Sequence, residues 1–231
     1  MREMMMNVPF MLALTIGSYL LGVYAKRKTG LALLHPFLIS IPVIISVLEV
    51  ADIPCRFYRD STVFIDFLLG PSVVSLGLLL YDHRRTIRKN MIAILSAVTV
   101  GSVVGVVSVW LLCRVFSLDS IFLYSLEPKS VTAPIAMDIA GSIGGNPSLT
   151  AVSVVLCGAI GAVIGPFILR IIRLQSPLAR GLAMGASAHG LGTARAIEMG
   201  AVEGAASGLA IALMGLMTTL VIPVFNLLMG L

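Results

Sequence analysis

The stretch Glu127-Pro128-Lys129-Ser130-Val131-Thr132-Ala133-Pro134 puts an acid, a base and two prolines inside sequence otherwise apolar enough for a membrane. A charge in hydrocarbon costs about 2.5–3.5 kcal/mol on insertion scales. Proline removes a backbone donor and clashes with the preceding turn. Spanning a membrane needs neither. Non-helical backbone at membrane depth survives only where protein or a water-filled cavity covers it. One reading is therefore a discontinuous helix, broken at Pro128 and Pro134, that lines a polar site. Its free N–H groups and positive dipole end would face an anion. Lys129 would add a full charge, and Ser130 and Thr132 neutral donors. The other reading is a short interfacial loop. Glu127 and Lys129 would then sit among headgroups, and Pro128 would start a helix.

A second candidate is Ser187-Ala188-His189-Gly190-Leu191-Gly192-Thr193-Ala194-Arg195. Glycines at 185, 190 and 192 weaken a helix, which makes Gly190 and Gly192 expected break points. Arg195 either clamps a carboxylate in bidentate fashion or pairs with Glu198 at the interface. His189 either bonds within the bundle or changes protonation near neutral pH and couples transport to protons. Ser187 and Thr193 are further candidate substrate contacts. A third candidate joins Asp138 to the turn Gly141-Ser142-Ile143-Gly144-Gly145-Asn146-Pro147-Ser148. There Asn146, with Pro147 at a helix start, offers an amide to a ligand. Asp138 is an interfacial acid, a partner of Lys129 or Arg195, or a proton carrier alongside His189 and Glu127. In the first half of the chain Pro71 marks a kink or break.

The elements that must position these groups are membrane helices. The chain has 231 residues, 58% hydrophobic and only 12% charged, against about 25% charged in soluble domains. The run Met91–Cys113 carries no charge and is long enough to span. Glycine, at 22 residues, suits close helix packing at Gly101/Gly105, Gly161/Gly165, Gly181/Gly185 and Gly204/Gly208. The net charge of +5 sits in short loops, as the positive-inside rule expects, and does not point to nucleic acid. The first helix lacks the pattern of a cleaved signal peptide. Cys55, Cys113 and Cys157 show no metal-ligand spacing. No GxSxG, HExxH or P-loop motif occurs, so neither an enzyme, a cofactor nor a metal is expected.

Eight apolar segments fall at roughly 7–25, 31–48, 61–81, 90–114, 119–141, 148–172, 179–199 and 204–230. Gly70-Pro71-Ser72-Val73-Val74-Ser75-Leu76-Gly77 matches Gly185–Gly192 as Gly-x-Ser-x-x-x-Leu-Gly, offset by half the chain. Internal duplication with broken helices is common in secondary transporters. If the repeat holds, Ser72 faces the same cavity as Ser187. The basic loops Lys26–Lys28, Arg84–Lys89 and Arg170–Arg180 are all cytoplasmic only if one intervening segment does not cross. The segment 119–141 is then re-entrant, residues 142–148 lie outside and the C-terminus is cytoplasmic. The expected fold is an all-α polytopic integral membrane protein with discontinuous or re-entrant helices. It would comprise two inverted-topology repeats of about four segments each, 1–115 and 116–231.

Pro128-Lys129-Ser130-Val131-Thr132, Pro134-Ile135-Ala136, Ile143-Gly144-Gly145 with Pro147, His189-x-x-Gly192-Thr193-Ala194-Arg195, and Glu203-Gly204-Ala205 with Ser207-Gly208 occur in this order. These ordered motifs resemble the LrgB/CidB family of bacterial membrane proteins, YohK-type inner-membrane proteins among them, over essentially the whole chain. Ala188 stands where the family has a serine, and Glu127 where it has an apolar residue. The resemblance implies a multi-pass protein of the bacterial inner membrane with one of two functions. In one, it is the antiholin-like companion of a small LrgA/CidA-like membrane protein, modulating murein hydrolase activity and lysis. In the other, following plastid proteins with an LrgB-like half that carry glycolate and glycerate, it transports small monocarboxylates, proton-coupled or by exchange. The expected partners are a small organic anion, an LrgA/CidA-like protein, the lipid bilayer and further copies of the chain. Lys129, Ser130, Thr132 and Arg195 are the expected anion contacts.

Overall fold

A computed structural model describes residues 6–29, 36–68, 71, 74 and 81–231. These residues are helical, with no strand among them. They form α1 (Val8–Thr29), α2 (Pro36–Val50), α3 (Cys55–Ser61), α4 (Val63–Phe67), α5 (Arg84–Lys89) and α6 (Met91–Val115). Then follow α7 (Ser120–Leu126), a 3₁₀ turn (Glu127–Ser130), α8 (Ala133–Ser142), α9 (Pro147–Ile171), α10 (Pro177–Met199) and α11 (Ala201–Met229). Four of them, α1, α6, α9 and α11, are long and apolar enough to cross a membrane. The chain is an all-α polytopic membrane protein. It separates into two compact units, 1–75 and 76–231. This division concerns compactness and not the expected repeats. Ser72 and about half of segment 61–81 lie outside the described residues. Pro71 is helical and exposed.

In the first unit α1 packs against α2 where Gly22 meets Pro36; a Cβ on Gly22 would lie 2.7 Å from the Pro36 Cα. Met11, Leu48 and Ile53 form its apolar centre. Thr15 and Tyr58 share a hydroxyl hydrogen bond of 2.8 Å.

The second unit is built around α6 and α11. Thr99 faces Met217, Ser102 bonds Thr218 at 3.0 Å and Trp110 stacks edge-on against Phe225. These pairs advance together along both helices, so α6 and α11 run parallel. Interhelical hydroxyl bonds of this kind are worth about 1 kcal/mol in a membrane.

Two hairpins insert into this frame. The first is α7, the 3₁₀ turn and α8. It starts with Leu123 packed on Val109 and Cys113 at the end of α6, passes Asn226 at Glu127 and reaches Gly105 in mid-α6 through Ser130. It returns as Ile139 packs on Val106 and Ile222 and Gly145 comes back against Tyr124. The segment 119–141 is therefore re-entrant. The second is α10, whose helical course is interrupted at His189. Gly181 lies against Glu203 and Gly185 against Ser207, whereas Thr193 returns to Ser207 and Ile197 to Gly204. The first half of α10 thus runs along α11 and the second half runs back. A Cβ on Gly192 would lie 2.2 Å from the Met184 carbonyl. Eight residues along a straight helix would separate them by about 12 Å. Small residues make this approach possible: Gly161 and Gly165 of α9 receive Ala188 and Met184.

This corrects the expected side of the C-terminus. Counting treated 179–199 as a crossing, but a hairpin returns to its own side. With α6 and α11 parallel, the C-terminus lies on the side where α6 ends. An inverted repeat would set these two helices, the last of each expected half, in opposite directions. The pair lends inversion no support.

Reporters inserted at 116–119 and after Leu231 should therefore give the same topology signal; opposite signals would contradict the parallel arrangement. A Cβ at Gly185 would stand 2.3 Å from the Ser207 carbonyl, whereas one at Gly101 meets only Met214 Sδ at 3.9 Å. Gly185→Val should lower stability by about 1–3 kcal/mol or more, and Gly101→Ala should be tolerated. Thermal denaturation in detergent checks both.

Candidate functional site

The tips of the two hairpins touch. In the first, the helix gives way to the 3₁₀ turn. Val131 (φ −124°, ψ 178°) and Thr132 (φ −65°, ψ 149°) are extended, and α8 restarts at Ala133. Pro134 sits in the first turn of α8, where a missing N–H has no intrahelical partner to lose. Pro128 occupies the same place in the 3₁₀ turn, and Pro147 in α9. In the second hairpin the reversal falls on His189, at φ 41° and ψ −123°. A non-glycine residue held there costs about 1–3 kcal/mol. The expected break points Gly190 and Gly192 stand beside it: Gly192 admits the close approach to Met184, and Gly190 faces open space.

The His189 ring, 4% exposed, bonds the Lys129 carbonyl through Nε2 at 3.0 Å. A carbonyl only accepts, so the ring carries hydrogen on Nε2. The 3₁₀-to-extended transition deprives the Lys129 carbonyl of a helical partner, and the second hairpin supplies one. Around this bond lie three of the expected anion contacts. Lys129 is half-buried, with Nζ 3.4 Å from Ser130 Oγ. Ser130 lies against Gly105, and Thr132 holds the N-cap position of α8 without making a capping bond. An ammonium, two hydroxyls and a helix start thus share the first tip. This set suits a small carboxylate.

Other expected site residues are engaged elsewhere. Asn146 caps α9: its Oδ1 accepts from Ser148 and Leu149 amides, and its own N–H donates to Ser125 Oγ at 2.7 Å. Thr193 is buried and bonds Ser207 at 2.7 Å, tying the second hairpin to α11. Ser187 is exposed and donates to the Ala183 carbonyl at 2.7 Å. Arg195 pairs with Glu198 on its own helix, the interfacial alternative for this residue. Asp138 is exposed on α8, and among the described residues it joins neither Lys129 nor Arg195 in an ion pair. Glu127 is turned from the tip; its carboxyl, 1% exposed, accepts from Asn226 Nδ2 at 3.1 Å.

Two partners went unnoticed in the sequence. Asn226 is a lone amide in the apolar run of α11, which was the available signal. Glu203 is buried at the start of α11 and lies 3.6 Å from Arg180, which fastens the entry of the second hairpin to α11. Its place in an ordered motif marked it, but nothing in the spacing pointed to Arg180.

A model of the LrgB-like family matches residues 15–228. The chain is 31% identical to the antiholin-like protein LrgB of Bacillus subtilis (strain 168), over 99% of both chains. It is 34% identical to the antiholin-like protein LrgB of Bacillus mycoides (strain KBAB4), over 87% of both. It is 36% identical to the uncharacterized protein YxaC of Bacillus subtilis, over 81% of both. No solved structure matches.

The positive φ at His189 separates two effects of substitution. His189→Gly loses the bond to Lys129 but relieves the backbone, whereas His189→Ala loses the bond and keeps the strain. His189→Gly should be more stable than His189→Ala by about 1 kcal/mol. Equal denaturation midpoints for the two variants would contradict the reversal at this residue.

Proposed function

The chain belongs to the LrgB-like family, and on that premise we propose that it carries small monocarboxylates across the bacterial inner membrane. The observation behind this reading is the meeting of two hairpin tips through His189 and Lys129. Interrupted helices meeting inside a bundle, with helix starts and polar side chains at the break, are a recurrent way to hold a substrate in secondary transporters. Lys129, Ser130 and Thr132 would hold the carboxylate. Glycolate, glycerate and pyruvate are the substrates of the expected size. Coupling to protons or exchange would act at the tip contact, where His189 changes what it offers to Lys129 as the hairpins separate. A small LrgA-like membrane protein is the proposed companion, and further copies of the chain are admissible neighbours.

The names of the relatives favour a second reading. Two chains similar over nearly their whole length are called antiholin-like. On the comparisons alone this reading has the stronger footing. Here the protein would oppose a holin-like partner and restrain cell-wall hydrolysis, with no solute moved. The joined tips would then be a structural lock.

Proteoliposomes separate the two. Purified protein, alone and with an LrgA-like companion, is offered labelled glycolate, glycerate, pyruvate and lactate with and without a pH gradient. Transport predicts saturable uptake and counterflow. Lys129→Ala, shown to be folded, should reduce the flux at least about tenfold, since hydrogen bonds to a charged group are worth about 1.5–3 kcal/mol. No flux from folded protein under any condition, with faster autolysis on deletion of the gene in its host, would give the antiholin-like reading.

A further inference from the structure

The geometry points to a proton-binding site formed by Glu127 and Asn226, in which the carboxyl is held in its acid form. The Glu127 side chain is 1% exposed and Asn226 is 7% exposed. Asn226 Nδ2 donates to Glu127 Oε2 at 3.1 Å. The other two atoms of the pair, Glu127 Oε1 and Asn226 Oδ1, are both buried without a hydrogen-bond partner. A carboxylate oxygen and an amide oxygen are acceptors only. Two buried acceptors, on side chains already joined by one hydrogen bond and without a donor for either, are a costly arrangement. One proton on Oε1 removes both faults. The acid then donates through Oε1–H to Oδ1 while Nδ2–H donates to Oε2, which closes a carboxylic acid–carboxamide ring.

The surroundings supply no alternative. No ion pair reaches Glu127 among the described residues. Lys129, two residues on, directs its ammonium to Ser130. The titratable groups facing the carboxyl from its neighbours are few. The Cys113 thiol of α6 lies within electrostatic reach. The His189 ring of α10 is bound to the Lys129 carbonyl. Tyr124 lies on α7, and Asp138 is on the exposed side of α8. The buried residues of α9 include no acid or base, and α11 contributes the neutral Asn226. Trp110 Nε1 on α6 is a buried donor, but it reaches neither oxygen. An ionised carboxylate in this position would stand in apolar surroundings with a single neutral hydrogen bond, which burial strongly disfavours. The ring also has a structural consequence: it fastens the first hairpin to the C-terminal end of α11, across 99 residues of sequence. The inference does not depend on whether the protein transports.

Infrared difference spectroscopy of the full chain in lipid nanodiscs at neutral pH tests it. The expected result is a protonated-carboxyl carbonyl band in the wild type that is absent in Glu127→Gln and displaced in Asn226→Leu. Glu127→Gln should keep the wild-type denaturation midpoint, because glutamine presents an N–H to Oδ1 and a carbonyl to Nδ2. Glu127→Ala should lower the midpoint. A wild-type spectrum with no band that Glu127→Gln removes would overturn the proposal. So would a loss of stability in Glu127→Gln equal to that in Glu127→Ala.

Discussion

A backbone group freed from a helix inside an apolar bundle has no water to turn to, and leaving it unpaired costs several kcal/mol. The break after Ser130 and the reversal at His189 each create that problem. The second answers the first: the Lys129 carbonyl released at one break is taken by the imidazole at the other. The rest of the second unit can be understood as the frame that brings the two ends together, with α6 and α11 as parallel walls and α9 behind α10.

That frame works because its contacts are small. Gly181 and Gly185 let the descending half of α10 lie directly on the backbone of α11, and Gly192 lets the ascending half fold onto Met184. Ala188, fully buried, seats against Gly161 and sets the position of the strained residue that follows it. Hydroxyl pairs between Thr193 and Ser207, and between Ser102 and Thr218, then fix the register. Interior hydroxyls such as those of Thr193 with Ser207 and Ser102 with Thr218 are bound to one another, whereas the polar groups at the first tip are less committed. Thr132 makes no capping bond, and Lys129 has only a long contact to Ser130. This difference is what the proposed reading of the tip as a binding place rests on.

Parts of this were legible in the residues. Charges and prolines at 127–134 are incompatible with a continuous span, and the charge distribution of the loops required a segment that does not cross. The glycines around 190 announced a break. They did not reveal that the positive φ would fall on His189, because the residue types permit it at several neighbours and only packing against α9 and α11 chooses. Residue type also fails to separate a ligand from a cap. Asn146 and Thr193 have the chemistry of substrate contacts, and the fold spends both on its own backbone and helices. The pairing of Glu127 with Asn226 spans too much sequence for any periodicity to expose. The direction of α11 was misread for a related reason: a glycine-rich apolar segment looks the same whether it crosses or turns back.

The joined tips are most directly tested by a distance in the bilayer-embedded protein. Lysine labelled with ¹³C at the carbonyl and histidine labelled with ¹⁵N on the ring allow rotational-echo measurement of the contact by solid-state NMR. A hydrogen bond between His189 Nε2 and the Lys129 carbonyl predicts strong dephasing of one histidine nitrogen, abolished when Lys129→Arg removes the labelled carbonyl. Absence of any such dephasing in folded protein would mean that the two breaks do not meet, and the reading of a shared site at their contact would fall with it.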